Sequence, residues 1–289
     1  MTAAAATRIP RTLRIISFNV ACGHLFTTHR DQRMDAIGRR LKELDPDLVA
    51  IQEAFTHDGR ARLFAALEGS RLVYRADFPA GVVGNGMLTL SAWPIVERTF
   101  HRYRHGSPWY KIHQGDWWAG KGVGLTRIAL PELDLDFYNT HTQPDRGDPA
   151  NAVARRGQMT EMADFIGCTR RPDVPLIAAG DFNTGVGAAD LGSLLAATGL
   201  RTVAAPADAI DFVLTADATS WHFEPAAARA IHGSIAGSHA AIFLDRAPTP
   251  AELWRMHFGH PEMTPLSDHP GYVVDLHLTP QANDGEDVA

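Results

Sequence analysis

The residues of this chain that could do chemistry stand at the ends of apolar runs. Asn19 closes LRIISFNV, Gln52-Glu53 closes LVAIQE, and Asn139-Thr140-His141 closes a third run. Gly180-Asp181-Phe182-Asn183 ends a fourth, and Ser267-Asp268-His269 precedes a fifth. An acid at a buried strand end is costly unless a metal or an opposite charge offsets it. Glu, Asp and Asn oxygens are hard ligands that suit Mg²⁺ or Mn²⁺ and leave coordination positions for water or phosphate. Taken singly, an Asp-His or a Gln-Glu is more often a capped turn than a ligand pair. Five such termini in one chain are hard to attribute to chance.

The elements that must position them follow from periodicity. Leu13 to Val20, Leu48 to Gln52 and Val174 to Ala179 read as buried strands. Further strands are expected around Leu72 to Arg75, Gly86 to Ser91, Ile95 to Tyr103, Gly122 to Leu130 and Leu133 to His141. Asp211 to Thr215, Thr219 to Phe223 and Tyr272 to Leu278 complete the set. Met34, Ile37, Leu41 and Leu44 recur at helical spacing before the Asp45-Pro46-Asp47 break. A second helix runs through Leu63, Phe64 and Leu67. The longest helical pattern is Asn151 to Gly167, with Val153, Met159, Ala163 and Ile166 on one face, and another helix lies near Asp190 to Thr198. Strands interleaved with a few helices predict an α/β (α+β) fold with two packed sheets flanked by helices. The expected organisation is a flexible leader over 1–12, one catalytic domain over 13–280 and a disordered acidic tail over 281–289.

Bulk properties narrow the function classes. The chain has 289 residues, 45% apolar and 21% charged, as a soluble globular protein does. Its net charge of −6 argues against a protein that grips nucleic acid chiefly through phosphates. Cys22 and Cys168 are too few for a disulfide framework or a four-thiolate site and read as ordinary thiols, with a single bridge between them the alternative. No signal-peptide core and no run long enough to span a bilayer is seen, so a cytoplasmic or peripheral-membrane location is expected.

The fragments FNV, QEAF, NTHTQ, GDFN, IDFVL and SDH, in this order between Leu13 and Leu278, resemble the successive motifs of the endonuclease/exonuclease/phosphatase superfamily. The resemblance implies a DNase I-like, four-layer αββα sandwich of two mixed β-sheets, with a site at one sheet rim. It implies catalysis with Mg²⁺, for which Mn²⁺ can substitute. Carried over residue by residue, Glu53 is the principal metal ligand with Asn19 beside it and Asp268 at the metal side. Asp181 and Asn183 orient the attacking water and the phosphate, and His141 serves the phosphoryl oxygens or the leaving group. His269 touches the scissile phosphate, with Asp211 as its orienting carboxylate. Whether His269 or Asp181 takes the water proton stays open, because the two would titrate together.

The middle of the chain is more specific. GVVGNGMLTLSAWPIVERTFHRY and WYKIHQGDWWAGKGVGLTRI are similar to the corresponding segments of neutral sphingomyelinases. That resemblance implies hydrolysis of sphingomyelin or a related choline phospholipid to phosphocholine and a lipid alcohol such as ceramide. It also implies a pair, Asp116 and Lys121, in which Lys121 approaches the phosphate and Asp116 orients it. A surface salt bridge on a hairpin-like loop is the plainer reading of that pair. Trp109, Tyr110, Trp117 and Trp118 could meet a lipid interface or a choline cation, or could be core anchors. Membrane-anchored relatives carry hydrophobic C-terminal spans; this chain ends in Gln281-Ala282-Asn283-Asp284, so transient contact with a membrane surface, or action on a more soluble ester, is expected. The alternatives are a nuclease, an inositol-phosphate phosphatase, or a non-catalytic binding module on the same fold. The oligomeric state is not legible. His24, His57, His232, His239 and His257 match no motif and read as surface or structural residues.

Overall fold

The strand with the most buried residues is the first. β1 (Arg11–Cys22) is followed by α1 (Arg30–Leu44), β2 (Leu48–Ala54), α2 (His57–Ala66), β3 (Tyr74–Asp77), β4 (Leu88–Ser91) and β5 (Ile95–Arg102). Then come β6 (Gly122–Ala129), β7 (Asp134–His141), α3 (Pro149–Thr169), β8 (Leu176–Asp181) and α4 (Ala189–Thr198). The chain ends with β9 (Arg201–Thr202), β10 (Asp211–Ala216), β11 (Trp221–Ile231) and β12 (Gly271–Pro280). This computed structural model describes residues 9–23, 29–78, 80, 84–106, 120–203, 205, 208–231 and 266–281. Asp116, the four aromatic residues at 109, 110, 117 and 118, and His24, His232, His239 and His257 lie outside them. So do the first eight residues and residues 282–289.

The strands form two six-stranded sheets, ordered β11-β12-β1-β2-β4-β3 and β5-β6-β7-β8-β10-β9. Each is mixed, with one parallel pair: β1 with β2, and β7 with β8. Side-chain alternation explains why they stack. Leu13 and Ile15 of β1 and Leu48 and Ala50 of β2 share one core with Leu135, Phe137, Ile177, Ala179 and Val213 of the other sheet. Their neighbours Ile16, Phe18, Val20, Val49 and Ile51 face the opposite way, onto Met34, Ile37 and Leu41 of α1 and Leu63 of α2. The outer face of the second sheet packs Tyr138, Ala178 and Leu214 against Met159, Met162 and Ile166 of α3 and Leu191 and Leu194 of α4. The result is four layers, as the sequence pattern predicts. Each fully buried Leu or Ile contributes about 1.5–3 kcal/mol by area.

The same alternation delivers the polar residues. Continuing the inter-sheet face of β1 by two residues at a time leads through Ser17 to Asn19, and on β2 it leads to Gln52. On β7 it leads to Asn139 and His141, on β8 to Asp181, and on β10 it starts at Asp211. The inner faces are therefore apolar at one end of the sandwich and polar at the other.

Two expectations need correction. Val153 is 60% exposed and is not on the buried face of α3. That face instead carries Asn151, Arg155 and Gln158 beside Met159 and Ile166, because α3 covers polar loops near the site as well as the sheet. β11 extends to Ile231, past the Phe223 boundary, because Pro225 sits at a bulge of an edge strand, where a missing N–H is tolerated. The short β9 has no periodicity to announce it. Both cysteines are free, Cys22 buried and Cys168 exposed.

Candidate active site

Register brings the first group of residues side by side. Asp181 of β8 pairs with His141 of β7 on one side and with Asp211 of β10 on the other. In the facing sheet Asn19 pairs with Gln52. Two bonds between an amide and a second side chain join the sheets here. Asn19 Nδ2 donates to Asp181 Oδ2 at 3.0 Å, and Gln52 Nε2 donates to Asn139 Oδ1 at 2.8 Å.

Backbone conformation then overrides alternation where it must. Glu53 follows Gln52 and would point to the helix side; its φ of 58° turns it back, and its Oε1 accepts from Asn19 Nδ2 at 3.1 Å. A left-handed φ at a long acidic side chain costs about 1–3 kcal/mol and persists only where neighbours enforce it. Gly86 is one of those neighbours: its carbonyl accepts from Ala54 N–H at 2.8 Å. Any Cβ at Gly86, itself at φ 69°, would meet the Glu53 Cα at 3.0 Å. Asn183 is also left-handed, at φ 48°, and its N–H donates to Asp181 Oδ1 at 2.9 Å. Its Nδ2 donates to the Thr142 carbonyl at 3.0 Å.

Two ion-rich pairs face each other across Asp181. Lys121, buried at the start of β6, donates from Nζ to His141 Nε2 at 2.8 Å and to the Thr142 carbonyl at 2.8 Å. Because an ammonium only donates, His141 accepts at Nε2 and carries its proton on Nδ1. Burial, with the charges of Lys121, His269 and Arg146, holds the His141 pKa well below the ordinary histidine value. On the other side His269 Nδ1 meets Asp211 Oδ2 at 2.8 Å. Burial disfavours the His269 cation, but Asp211 and Asp181 outweigh it and raise its pKa well above the ordinary value. Burial lifts Asp211 to about 7 against the lowering effect of His269. One histidine is therefore held neutral and the other favoured as an imidazolium. His141 Nε2 lies 3.5 Å and His269 Nε2 3.7 Å from the same oxygen, Asp181 Oδ2.

Asp268 arrives on the segment before β12. Ser267 Oγ donates to the Asn19 carbonyl at 2.5 Å, which seats this segment against β1. Burial and then the charge of Asp268 raise the Glu53 pKa, so these two carboxylates repel each other. A second acidic set, Asp181, Asp211 and His269, offers one ligand atom each within 4.8 Å of one another. Of the residues singled out from the sequence, Asn19, Glu53, Lys121, His141, Asp181, Asn183, Asp211, Asp268 and His269 all converge here.

Residues 16–269 match the Endonuclease/Exonuclease/phosphatase family. The chain belongs to that family. Within it, the chain is 32% identical over 178 residues to sphingomyelin phosphodiesterase 2 of Homo sapiens, covering 60% of this chain and 41% of the relative. It is 29% identical over 175 residues to the inositol phosphosphingolipids phospholipase C of Schizosaccharomyces pombe, covering 59% and 41%. The alignments thus span about two-fifths of the length of the curated relatives. The fold is also that of the beta toxin of Staphylococcus aureus with bound magnesium ions, at a TM-score of 0.66 and 16% identity, covering 91% of this chain and 99% of the toxin.

In this family member three residues that stood at the run ends without an assigned role, Gln52, Asn139 and Ser267, support the site. The Gln52–Asn139 bond closes the sandwich beneath the carboxylates, and Asn139 Nδ2 also reaches the carbonyls of Ile51 and Leu88 at 3.2 Å. Both are strand-terminal amides on the inner-face parity, which was the available signal. The Thr142 carbonyl carries no such signal.

Proposed function

We propose that the chain is a Mg²⁺-dependent phosphodiesterase of phospholipase C type that hydrolyses sphingomyelin or a related choline phospholipid to phosphocholine and a lipid alcohol such as ceramide. The carrying observation is that Asp181 stands at hydrogen-bonding range of Asn19 and within 3.7 Å of both His141 and His269, with Glu53 beside them. The likeness to sphingomyelin phosphodiesterase 2 supports the lipid class.

The donor set fits a hard cation. Glu53 and Asp268 are two carboxylates that repel each other, and Asn19 braces Glu53 by donating from its Nδ2. Glu53 and Asp268 would hold Mg²⁺, or Mn²⁺ in its place, with Asn19 beside Glu53. The set of Asp181, Asp211 and His269 is the weaker candidate, because Asp211 and His269 already satisfy each other at 2.8 Å and Mg²⁺ prefers oxygen. Bound there, the cation would offset negative charge on a phosphoryl oxygen.

The chain's own residues supply the rest. Asp181, an acceptor fixed by Asn19 and by Asn183 N–H, is placed to take a proton from water attacking phosphorus. The His269 imidazolium, oriented by Asp211, donates toward the phosphate oxygens as charge develops there. Lys121, braced on His141, offers a further positive charge. As the water oxygen bonds to phosphorus, the bond from phosphorus to the alcohol oxygen breaks; that oxygen takes a proton from solvent, Asp181 returns its own to solvent, and the phosphate stays on the head group. Asp116 is read as the partner that orients Lys121. Among the described residues no helix is long and apolar enough to cross a membrane. Substrate would be met by transient contact with a membrane surface, from the cytoplasm or a peripheral position.

The yeast relative favours a second reading, an inositol-phosphate head group cleaved at the same bond. Vesicles of sphingomyelin, of phosphatidylcholine and of inositol phosphosphingolipid, with abasic DNA in parallel, separate these with Mg²⁺ present. Phosphocholine release from sphingomyelin is the expected result. Incision of DNA without lipid turnover would sink the lipid reading.

A further inference from the structure

Among the described residues, Arg33 is the largest side chain without solvent exposure. It sits in the first turn of α1 and reaches between the end of β1 and the segment Leu266–His269. Nη2 donates to the Ala21 carbonyl at 2.6 Å and Nη1 to the Leu266 carbonyl at 2.9 Å. Both nitrogens also lie 3.4 Å from the Val20 carbonyl, and Nε has no hydrogen-bond partner. Among the described residues no carboxylate comes within ion-pairing distance, although the charges of Asp268 and Glu53 act on it.

A buried guanidinium satisfied only by carbonyls is a costly way to fill space; an apolar side chain of similar volume would pack as well. What the carbonyls belong to explains the choice. Ala21 is left-handed at φ 45°, inside the bulge where the β1–β2 register shifts between Asn19 and Cys22. Its N–H donates to Asn19 Oδ1 at 3.1 Å, so the bulge and the Asn19 side chain are set together. Leu266 opens the segment that carries Asp268 and His269. A second fastening lies beside the first: Ser267 Oγ bonds the Asn19 carbonyl at 2.5 Å and accepts from His269 N–H at 3.2 Å.

We propose that Arg33 is a positioning residue that fastens the Leu266–His269 segment to the bulged end of β1, and so fixes Asp268 and His269 against Asn19 and Glu53, with Ser267 as the second fastening. The part of this that concerns cation affinity rests on reading Glu53 and Asp268, with Asn19 beside Glu53, as the cation site. A planar fork serves better than an ammonium here, because one group must reach carbonyls on two separate segments.

The test uses the full chain with Arg33→Met, Arg33→Lys and Ser267→Ala. It follows hydrogen–deuterium exchange of peptides over 19–23 and 266–272, Mg²⁺ binding by calorimetry, and kcat and KM. Arg33→Met is expected to speed exchange in both peptides while β7 and β8 keep wild-type protection. Mg²⁺ binding should weaken by about 10- to 100-fold, the usual effect of losing a group that orients ligands. The loss should appear in kcat more than in KM. Arg33→Lys should recover part of the protection, and Ser267→Ala should move the same readouts in the same direction. Unchanged exchange and unchanged Mg²⁺ affinity in a folded Arg33→Met protein would overturn the proposal. If Arg33→Met does not fold, Ser267→Ala decides, and wild-type exchange there overturns it equally. Should the wild type bind no Mg²⁺, the cation reading fails while the exchange comparison still tests the fastening.

Discussion

Asn19 Nδ2 donates at once to Asp181 Oδ2 across the gap between the sheets, at 3.0 Å, and to Glu53 Oε1 in its own sheet, at 3.1 Å. One amide thereby sets the spacing of two carboxylates that arrive from different layers. Its Oδ1 is engaged by Ala21 N–H, so the amide cannot turn over without losing all three bonds. Asn19→Ala is expected to reduce kcat by about 10- to 100-fold through loss of that spacing. Steady-state kinetics on vesicles checks it, and a rate near wild type would remove Asn19 from the account.

Glu53 is held left-handed against its own preference, which marks its carboxylate as the group the bulge exists to deliver. Glu53→Gln keeps the shape and removes the charge. Turnover should fall by at least about 10²-fold, and EDTA should abolish wild-type activity with Mg²⁺ or Mn²⁺ restoring it. Full turnover in chelator contradicts the cation-dependent reading outright.

Asp211 gives His269 its fixed tautomer through the 2.8 Å bond to Nδ1. Asp211→Asn should slow the reaction by about 10²-fold or more. Because the anion that favours the imidazolium is gone, the alkaline limb of kcat/KM should move to lower pH. A pH–rate profile that keeps its limb in place argues that Asp211 does not act through His269.

Lys121 is buried against His141 and the Thr142 carbonyl rather than lying on a surface hairpin. Lys121→Ala should impair hydrolysis while near-ultraviolet circular dichroism stays that of the wild type. Loss of that signal would favour a purely structural role.

The two histidines bias stability in opposite directions. His141 has its pKa depressed from 6.5 by burial and by Lys121, so the unfolded chain takes up a proton there that the fold refuses. Its contribution is complete above the ordinary value and declines as pH falls below it. His269 is raised despite its burial, by Asp211 and Asp181, and we treat the His269–Asp211 pair as one unit holding a proton. That contribution is complete below the ordinary histidine value and is lost as pH rises through the raised one. Urea unfolding in EDTA should therefore show stability falling on both sides of about pH 6.5. His141→Asn should flatten the acid side and His269→Asn the alkaline side; unaltered profiles in both variants would refute the assignment.

Asn19, Glu53, Asp181 and His269 were legible in the sequence because each is a polar residue at the end of an apolar run, and because their order resembles that of a known family. The sheets were legible too, since alternation between Leu13, Ile15 and Ile16, Phe18 already separates two buried faces. Arg33 was not: an arginine in a helical pattern reads as solvent-facing, and its carbonyl partners come from segments more than 230 residues apart. Val153 misled for the mirror-image reason, an apolar residue left outside because α3 covers polar loops. What tertiary structure alone decided is register and the gap between sheets. A one-residue slip reverses every inner side chain, and slippage is prevented by packing between distant strands rather than by local propensity. Composition and order determined which groups this chain has available; the pairing of His141, Asp181 and Asp211 beneath Asn19 determined that they share one centre.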